Sequence, residues 1–551
     1  METVTQKECS VWRMHARKPL HTHRIGFRLQ LHSIMYPFAL PATANAHPPD
    51  FANARAARDW LAQLDSTQPL NAQASLLGQL NLMNRFRMPA GERLRVIEEL
   101  RETVLSVQAS ASSRFVGRPL PLSAGERAAF DANQAMWDTL VTAYLHCLTA
   151  ALDGDSGVAG QVALIAHRAL GALALMQLDA LRTAHLPAPG YWRRAHACYE
   201  AAEKLGATER KIQDNALNDE RPTSVRAAYV LCVLMHTSSP FGLTHRQLRM
   251  LCRWLGKWSG KVALLDTAIH HCALPPLMLD LSSDEAIARS TQLQSSLRWL
   301  VLDEFSHGIR KRLTMLAQGE TPTALRLGDE LSPAQADRLL RHLHTHCCRG
   351  GLTRAEQRHP MQRNASVVIG MQAVQQFLGG TEEIAADIAQ FSARPETVAT
   401  GYLVEDWRIL DDSATGLRLG RRASQDGSRV SNGMLLAVRP ENSPQFLLAH
   451  VCWTMANGID LQIGISMLAG TPQPVELART PDGRGDHEGR GLLMPAVERI
   501  GQPECVALPS GWYRKSRDIL LSGDGGKRRV RLVESLERGS DFDLARIEPA
   551  A

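Results

Sequence analysis

Residues 445–468, QFLLAHVCWTMANGIDLQIGISML, decide the fold class of the C-terminal part of the chain. Apolar side chains recur at every second position in two runs, which places each run on one face of a β-strand. These residues are Leu447, Ala449, Val451 and Trp453 in the first run and Leu461, Ile463, Ile465 and Met467 in the second. Several short strands joined by Gly and Asn turns indicate a small antiparallel β-barrel.

Similar short runs lie on both sides of this stretch. Further strands are predicted at 366–369, 402–410, 433–439, 505–508, 518–521, 529–534 and 541–547, with one short helix at 371–378. The polar, Gly-rich residues 480–491 are predicted to form a linker or a long hairpin loop. We therefore expect a barrel domain over residues 350–475, followed by a β extension or second small β domain over residues 476–551.

The part of the chain before the barrel, residues 50–349, has helical periodicity instead. Ile97, Leu100, Val104 and Val107 follow one another three or four positions apart, which places them on one helix face. Further helices are predicted at 286–317 and at 333–348, the second after a capping box that begins at Ser332. We expect an all-α helical array, such as a solenoid of helix pairs, although no clean repeat period is present.

Composition fits a multidomain α + β protein. The chain has 551 residues and a formal net charge of +6, which is mild compared with dedicated nucleic-acid binders. Its 10 cysteines include no C-x-x-C pair, which favours reduced thiols and a cytoplasmic location. The sequence contains no G-x-S-x-G or H-E-x-x-H motif and no evident pair of catalytic carboxylates, so nothing in it indicates an enzyme.

Two segments need separate interpretation. Residues 1–34 are rich in His and Arg and lack an apolar core, so they do not resemble a secretory signal. Residues 1–49 are therefore expected to be a disordered leader or the result of a start assigned too far upstream. The apolar segment 158–181 is interrupted by Gln161, His167, Arg168 and Asp179, which favours a buried helix over a membrane span.

An R-x-x-x-R motif at the start of the β-rich part indicates a ligand-binding arm. Its arginines are Arg354 and Arg358, and it follows Gly350 and Gly351, which can act as a hinge. The planar guanidinium group matches the N7 and O6 acceptors of guanine, or two phosphate oxygens, with two parallel hydrogen bonds. It can also stack on the face of a purine.

A D-x-S-x-x-G motif supplies complementary groups. The Asp411 carboxylate can accept hydrogen bonds from guanine N1–H and N2–H, and the Ser413 hydroxyl can bind phosphate or ribose. Gly416 permits a turn and a close backbone approach before the strand that begins at Leu417. Each motif alone is more often a solvated turn, but the two together predict a binding site.

In this order, ahead of a run of strands, the two motifs resemble the ligand signature of PilZ domains, which bind the bacterial second messenger cyclic di-GMP. The resemblance covers about residues 352–470 and includes the strands with Val451-Cys452-Trp453 and Ile463-Gly464-Ile465. The chain departs from the family in a long insertion over residues 371–400 and in Leu468, where the family often has Phe. The resemblance implies that the two motifs bind cyclic di-GMP through Arg354, Arg358, Asp411, Ser413 and Gly416.

The resemblance also implies how the protein acts on ligand binding. PilZ proteins are usually receptors rather than enzymes, and they need no cofactor besides their ligand. Binding changes the conformation of the arm, and the change passes to an attached domain or a partner. We therefore expect a protein partner for the helical domain and control of pili, motility or surface attachment.

Three alternatives remain open at this point. The barrel can be a degenerate PilZ fold in a nucleotide-independent scaffold, with the 371–400 insertion closing its pocket. The basic hairpin 527–531 can bind nucleic acid, although such a hairpin is more often a solvated sheet edge. The cluster His342, His344, His346, Cys347 and Cys348 can suggest a metal site, but one helix cannot direct four ligands to one point, so we favour a solvated helix end.

Overall fold

The structure is a computed structural model that describes residues 38–550 except 66, 269–270, 289–293, 349–358, 379–403, 414, 425, 442, 480–487 and 524. Helices dominate the N-terminal part, as the 3.6-residue periodicity predicts. They are α1 (Ala54–Leu61), α2 (Pro69–Arg85), α3 (Ala90–Ser112), α4 (Ala124–Leu152), α5 (Ser156–Ala159), α6 (Val162–Arg182), α7 (Tyr191–Lys204), α8 (Val225–Thr237), α9 (His245–Trp258), α10 (Asp303–Ala317) and α11 (Pro333–Leu343). A further helix, α12 (Met371–Leu378), confirms the predicted 371–378 helix among the strands.

The helices share one apolar core. The predicted face of α3, with Ile97, Leu100, Val104 and Val107, is buried in it. Among the described residues, α6 is the helix long and apolar enough to cross a membrane, and 78% of its apolar window is buried in this core. The capping box predicted at the start of α11 is present, because Ser332 and Gln335 cap each other's backbone N–H groups.

The N-terminal part is helical as predicted, and it also contains short strands that were not predicted. It contains a hairpin of β1 (Ile212–Asp214) and β2 (Asn218–Thr223) and a three-stranded sheet of β3 (Ala263–Leu265), β4 (Leu277–Asp280) and β5 (Leu297–Val301). Among the described residues of the predicted 286–317 helix, only α10 is helical. Strand β5 is covered on both faces, so its sequence lacks the alternation that would have identified it as a strand.

The predicted solvated helix end at the histidine and cysteine cluster is also wrong. Residues His344–Cys348 form a π-helical turn after α11, and Cys347 and Cys348 are buried in the helical core. The imidazole Nε2 of His344 lies 3.0 Å from the Ser306 hydroxyl, and Nε2 of His342 lies 2.8 Å from the Ser238 carbonyl oxygen. The cluster therefore packs the end of α11 against neighbouring helices, and the described residues contain no cluster of three potential metal ligands.

The first barrel has six antiparallel strands closed in the order β10-β11-β8-β7-β6-β9. They are β6 (His359–Ile369), β7 (Glu405–Asp412), β8 (Gly416–Arg422), β9 (Leu435–Pro440), β10 (Leu447–Asn457) and β11 (Asp460–Met467). The predicted face of β11 is buried at Leu461, Ile463 and Ile465. The predicted face of β10 is interrupted, because a bulge after Val451 shifts the register and seats the Trp453 indole over Gly464.

The C-terminal residues close a second barrel of six antiparallel strands in the order β12-β13-β14-β17-β16-β15. They are β12 (Gln473–Arg479), β13 (Glu488–Met494), β14 (Cys505–Pro509), β15 (Asp518–Gly523), β16 (Gly526–Arg538) and β17 (Phe542–Pro549). The prediction of a loop over residues 480–491 is wrong at its C-terminal end, because residues 488–491 belong to β13. Gly489 and Gly491 leave that strand without an alternating side-chain pattern, so its sequence resembled a loop.

The two barrels share an apolar interface. It contains Val368 and Leu448 from the first barrel, Val374 from α12, and Met494 and Phe542 from the second barrel. A half-buried carboxylate reinforces it, because Asp541 accepts hydrogen bonds from the backbone N–H groups of Met371 at 2.7 Å and Leu435 at 2.9 Å. The fold is therefore a multidomain α + β arrangement, with a helical N-terminal part followed by antiparallel barrels.

The first barrel also contacts the helical part directly. Leu120 and Val430 exchange two backbone hydrogen bonds of 2.8 and 2.6 Å, and Leu120 enters the core of the barrel. Arg429 donates to the Pro119 carbonyl oxygen at 2.8 Å and forms an ion pair with Glu126. The segment that follows β8 is therefore anchored to the helices.

Candidate functional site

Strand pairing in the first barrel brings the D-x-S-x-x-G segment beside the residues that follow the arginine motif. In the β6–β7 ladder His359 lies opposite Asp412 and Pro360 lies opposite Asp411. The ladder has a register shift after Pro360, and the β7–β8 ladder has one before Asp411. Such irregularities redirect side chains and are common near binding sites.

Asp411 is a nearly buried carboxylate, 5% exposed, at the end of β7. Arg418 lies opposite it on β8, and the Arg418 Nε atom is 2.8 Å from Asp411 Oδ2. The Nε–H bond is not directed at the carboxylate, so this contact is an ion pair rather than a hydrogen bond. About a third of the Arg418 side chain remains exposed, so its other donors can reach a ligand.

A second, weaker pair lies beside the first. The imidazole Nδ1 of His359 is 3.7 Å from Asp412 Oδ1, and the His359 side chain is 68% exposed. This contact is electrostatic only when the imidazole is protonated. One edge of the barrel thus presents two carboxylates and two basic side chains, from the start of β6, the end of β7 and the start of β8.

The turn between β7 and β8 is compact. The backbone N–H of Ser413 donates to the Gly416 carbonyl oxygen at 2.9 Å, and the Ser413 hydroxyl donates to the same oxygen at 3.3 Å. This is the local hydrogen bonding that serine typically makes in turns. To bind a phosphate, the hydroxyl must donate its single hydrogen to a phosphate oxygen, so it would have to rotate away from this contact.

Gly416 is required by a close approach of two strands. It lies opposite Ser466 in the β8–β11 ladder, and a Cβ atom at this position would lie 2.4 Å from the Ile465 carbonyl oxygen. The sequence prediction of a close backbone approach at this glycine agrees with this geometry. The glycine therefore keeps the turn pressed against β11.

Of the five residues predicted to bind the ligand, the structure describes Asp411, Ser413 and Gly416, which it brings together. Arg354 and Arg358 lie outside the described residues. Arg418 was not predicted from the sequence, and it joins the motif through the register of β7 and β8. An arginine two residues after the last glycine of the motif carries no signal until that register is known.

A buried polar cluster stabilises the start of β7 and the end of β8. The Glu405 carboxylate accepts hydrogen bonds from the Trp407 indole at 3.0 Å and from the Ser428 backbone N–H at 2.6 Å. The Arg421 Nε atom lies 3.4 Å from Glu405, and Arg421 also donates to the Ser428 carbonyl oxygen at 2.8 Å. Burial lowers the pKa of Arg421, and the Glu405 charge opposes that effect. The cluster ties β7 and β8 to the segment that contacts the helices.

The basic residues considered as a nucleic-acid contact lie on β16, next to the β15–β16 turn, where Gly523 lies opposite Gly526. The arginines among them are paired with carboxylates. Arg531 contacts Asp518 at 2.8 Å, Arg529 contacts Asp518 at 3.2 Å, and Arg528 pairs with Glu504. This pairing neutralises much of the positive charge that binding to a duplex would need.

Comparison with known families matches both ends of the chain. A family model described as "Cyclic-di-GMP receptor FimW, N-terminal domain" matches residues 55–268, and one described as "FimW C-terminal beta-barrel domain" matches residues 475–550. Together the two segments cover just over half of the chain, and the first barrel with its motifs lies between them. A comparison with curated proteins gives no match. The chain belongs to the FimW family of cyclic di-GMP receptors, whose function is ligand binding rather than catalysis.

Proposed function

We propose that the receptor binds cyclic di-GMP at the edge of the first barrel. The proposed contacts are Arg354, Arg358, Asp411, Ser413 and Gly416. The observation that carries this proposal is the pairing of His359 with Asp412 and of Pro360 with Asp411, because it joins the ends of the two motifs.

Chain connectivity supports the placement of the arginine motif. Arg358 directly precedes His359, so a trans peptide bond keeps their Cα atoms about 3.8 Å apart. Arg354 is four residues earlier, which an extended chain spans in roughly 13–14 Å. Both guanidinium groups can therefore reach a ligand that sits over Asp411 and Ser413.

The charges at this edge suit the ligand. Cyclic di-GMP carries two phosphates and two guanines, so a site needs cations for the phosphates and a carboxylate for the guanines. Asp411 supplies the carboxylate, while Arg354, Arg358 and Arg418 supply the cations. Since Asp411 is nearly buried, a guanine that bonds to it would do so in a poorly hydrated setting, where hydrogen bonds are stronger.

A physical route from this edge to the helices supports coupling. Strand β8 begins at Gly416 and continues into the segment where Arg429 and Val430 bind the helical part. Glu405 on β7 bonds to Ser428 in the same segment. We therefore propose that ligand binding shifts the 428–430 segment and with it the helical surface that a protein partner contacts.

The proposal for the biological role rests on the resemblance to PilZ receptors. It favours a cytoplasmic receptor that controls pili, motility or surface attachment through an unidentified protein partner. The remaining alternative is a scaffold whose barrel does not bind nucleotide.

Hydrogen exchange of the full chain, with and without cyclic di-GMP, tests the location and the coupling together. We expect slower exchange in peptides covering 354–363 and 411–418, and a ligand-dependent change in peptides covering 118–122 and 428–432. Protection confined to residues 55–268 would place the ligand in the helical domain and overturn the proposed site.

A further inference from the structure

A cleft of about 390 Å³ opens in the helical part, away from the strands of the first barrel. It lies between the end of α9, helix α10 and the loop before α11. Its volume falls within the range of small-molecule sites, about 300–1,000 Å³. Its lining combines apolar surface from Phe305 and Met315 with several charged side chains.

The cleft carries an excess of positive charge. Lys261, Lys311, Arg312 and Arg326 line it, against the single carboxylate of Glu304. Within the described part of the chain, none of these four cations has a carboxylate within ion-pair distance. Neighbouring arginines outside the cleft are paired, since Arg253 contacts Glu330 and Arg298 contacts Glu203. The cations of the cleft are therefore available to an anion from outside the chain.

Arg312 is held in a fixed orientation. Its guanidinium carbon lies 4.6 Å from the centre of the Trp258 ring, and its Nη1 donates to the Gly308 carbonyl oxygen at 2.9 Å. Stacking on an indole leaves the edge of the guanidinium group free for planar hydrogen bonding. Its Nε is buried and has no hydrogen-bond partner among the described residues.

Arg326 is presented by a strained turn. Its φ angle is +58°, in the left-handed region that bulky residues rarely adopt. Hydrogen bonds from the Arg326 N–H to the Thr323 carbonyl oxygen at 3.0 Å and from Leu327 to Pro322 at 2.8 Å maintain the turn. Glycine would fit this conformation without strain. Residues held in strained backbone conformations of this kind concentrate at functional sites.

We infer that this cleft binds a small phosphate-bearing molecule at a site separate from the cyclic di-GMP site. Arginine and lysine around a concave cleft match phosphate oxygens in charge and hydrogen-bond geometry. A concave cavity of this volume fits a small molecule better than the broad, flat contact that a protein partner needs. An acidic protein segment is the competing occupant, and the experiment separates the two.

The test is calorimetric titration of the full chain with two probes, inorganic pyrophosphate and ATP. A Lys311→Gln, Arg326→Gln double variant removes two exposed charges of the cleft, and we expect at least tenfold weaker binding of both probes. The matched control, Lys211→Gln with Arg114→Gln, removes the same charge from exposed positions elsewhere and should leave both affinities within twofold. Tighter binding of ATP than of pyrophosphate would identify a nucleotide ligand, whereas equal binding would identify the phosphate group alone.

Two further measurements keep the inference falsifiable. Arg326→Gly should raise the thermal midpoint, because it relieves the backbone strain, while weakening probe binding at least threefold. The double variant should bind cyclic di-GMP as tightly as the unmodified chain, which separates this site from the first barrel. The inference is overturned if neither probe binds, if the control weakens binding equally, if cyclic di-GMP binding is lost in the double variant, or if a polyglutamate peptide displaces pyrophosphate at equal concentration.

Discussion

Arg418 lies directly opposite Asp411 across the β7–β8 ladder, with its Nε 2.8 Å from the carboxylate that the D-x-S-x-x-G motif provides. A nearly buried carboxylate without a nearby cation would be costly, and the Arg418 guanidinium offsets that cost and orients the Asp411 side chain. The ligand therefore meets a preorganised acceptor, and preorganisation reduces the ordering cost of binding.

Loss of the Asp411 carboxylate should weaken ligand binding selectively. In Asp411→Ala we expect a loss of roughly 1–3 kcal/mol in the free energy of cyclic di-GMP binding, because the guanine donors lose their acceptor. Calorimetric titration measures this loss. The matched control is Asp406→Ala, an exposed carboxylate on the same strand. Equal affinities in the two variants would exclude Asp411 as a contact.

Gly416 should tolerate no side chain. In Gly416→Ala the new methyl group would overlap the Ile465 carbonyl oxygen, so β8 or β11 must shift. We expect a loss of about 1–3 kcal/mol in the free energy of unfolding, measured by denaturant titration. Gly125→Ala has open space around it on a helix and should be neutral or slightly stabilising. Unchanged stability in Gly416→Ala would show that the strand contact does not require glycine.

Sequence periodicity predicted the elements that have one buried and one exposed face. It did not predict the elements whose two faces are alike. The buried face of β11 was predictable because Leu461, Ile463 and Ile465 alternate with polar residues. Strand β5 was not, since both of its faces are covered. Strand β13 was missed because Gly489 and Gly491 carry no pattern at all.

Only those residues of the proposed site that belong to a sequence motif could be predicted. Asp411, Ser413 and Gly416 form one turn, so local sequence suffices to group them. Arg418 joins the proposed site through strand register, and Arg429 joins the proposed coupling route through a contact with Pro119, 310 positions away in the sequence. Single-sequence patterns contain no information on such long-range pairings.

Arg429 should carry the signal to the helices without affecting the ligand itself. In Arg429→Ala we expect cyclic di-GMP affinity within twofold of the unmodified chain. The ligand-dependent change in hydrogen exchange over residues 118–122 should disappear, because the contacts to Pro119 and Glu126 are removed. Arg422→Ala removes an exposed arginine at the end of β8, just before this segment, and is the control. A preserved exchange response in Arg429→Ala would rule out this route.

Acid should destabilise the helical domain through His167. This imidazole is fully buried between Asp214 and two arginines, and burial lowers its pKa to about 4 despite the favourable Asp214 charge. An unfolded histidine titrates near its ordinary pKa of 6.5, so between pH 6.5 and 4 the unfolded chain binds more protons. Stability is therefore lost as the pH falls through this window.

The size of this effect can be measured. One such histidine contributes a loss of about 2 kcal/mol between pH 7 and pH 4.5. Urea unfolding of His167→Leu should show a pH dependence smaller by about this amount, since leucine does not titrate. An identical pH dependence in the variant and the unmodified chain would assign the acid sensitivity to other groups.

The most direct test of the proposed site is calorimetric titration of the full chain and of Arg358→Ala with cyclic di-GMP, with GTP and cyclic GMP as specificity controls. Arg338→Ala, which removes an exposed arginine from α11, is the matched variant. We predict selective binding of cyclic di-GMP by the unmodified chain and by Arg338→Ala, and a loss of roughly 1–3 kcal/mol in Arg358→Ala. Equal binding by all three proteins would contradict a ligand site at the first barrel.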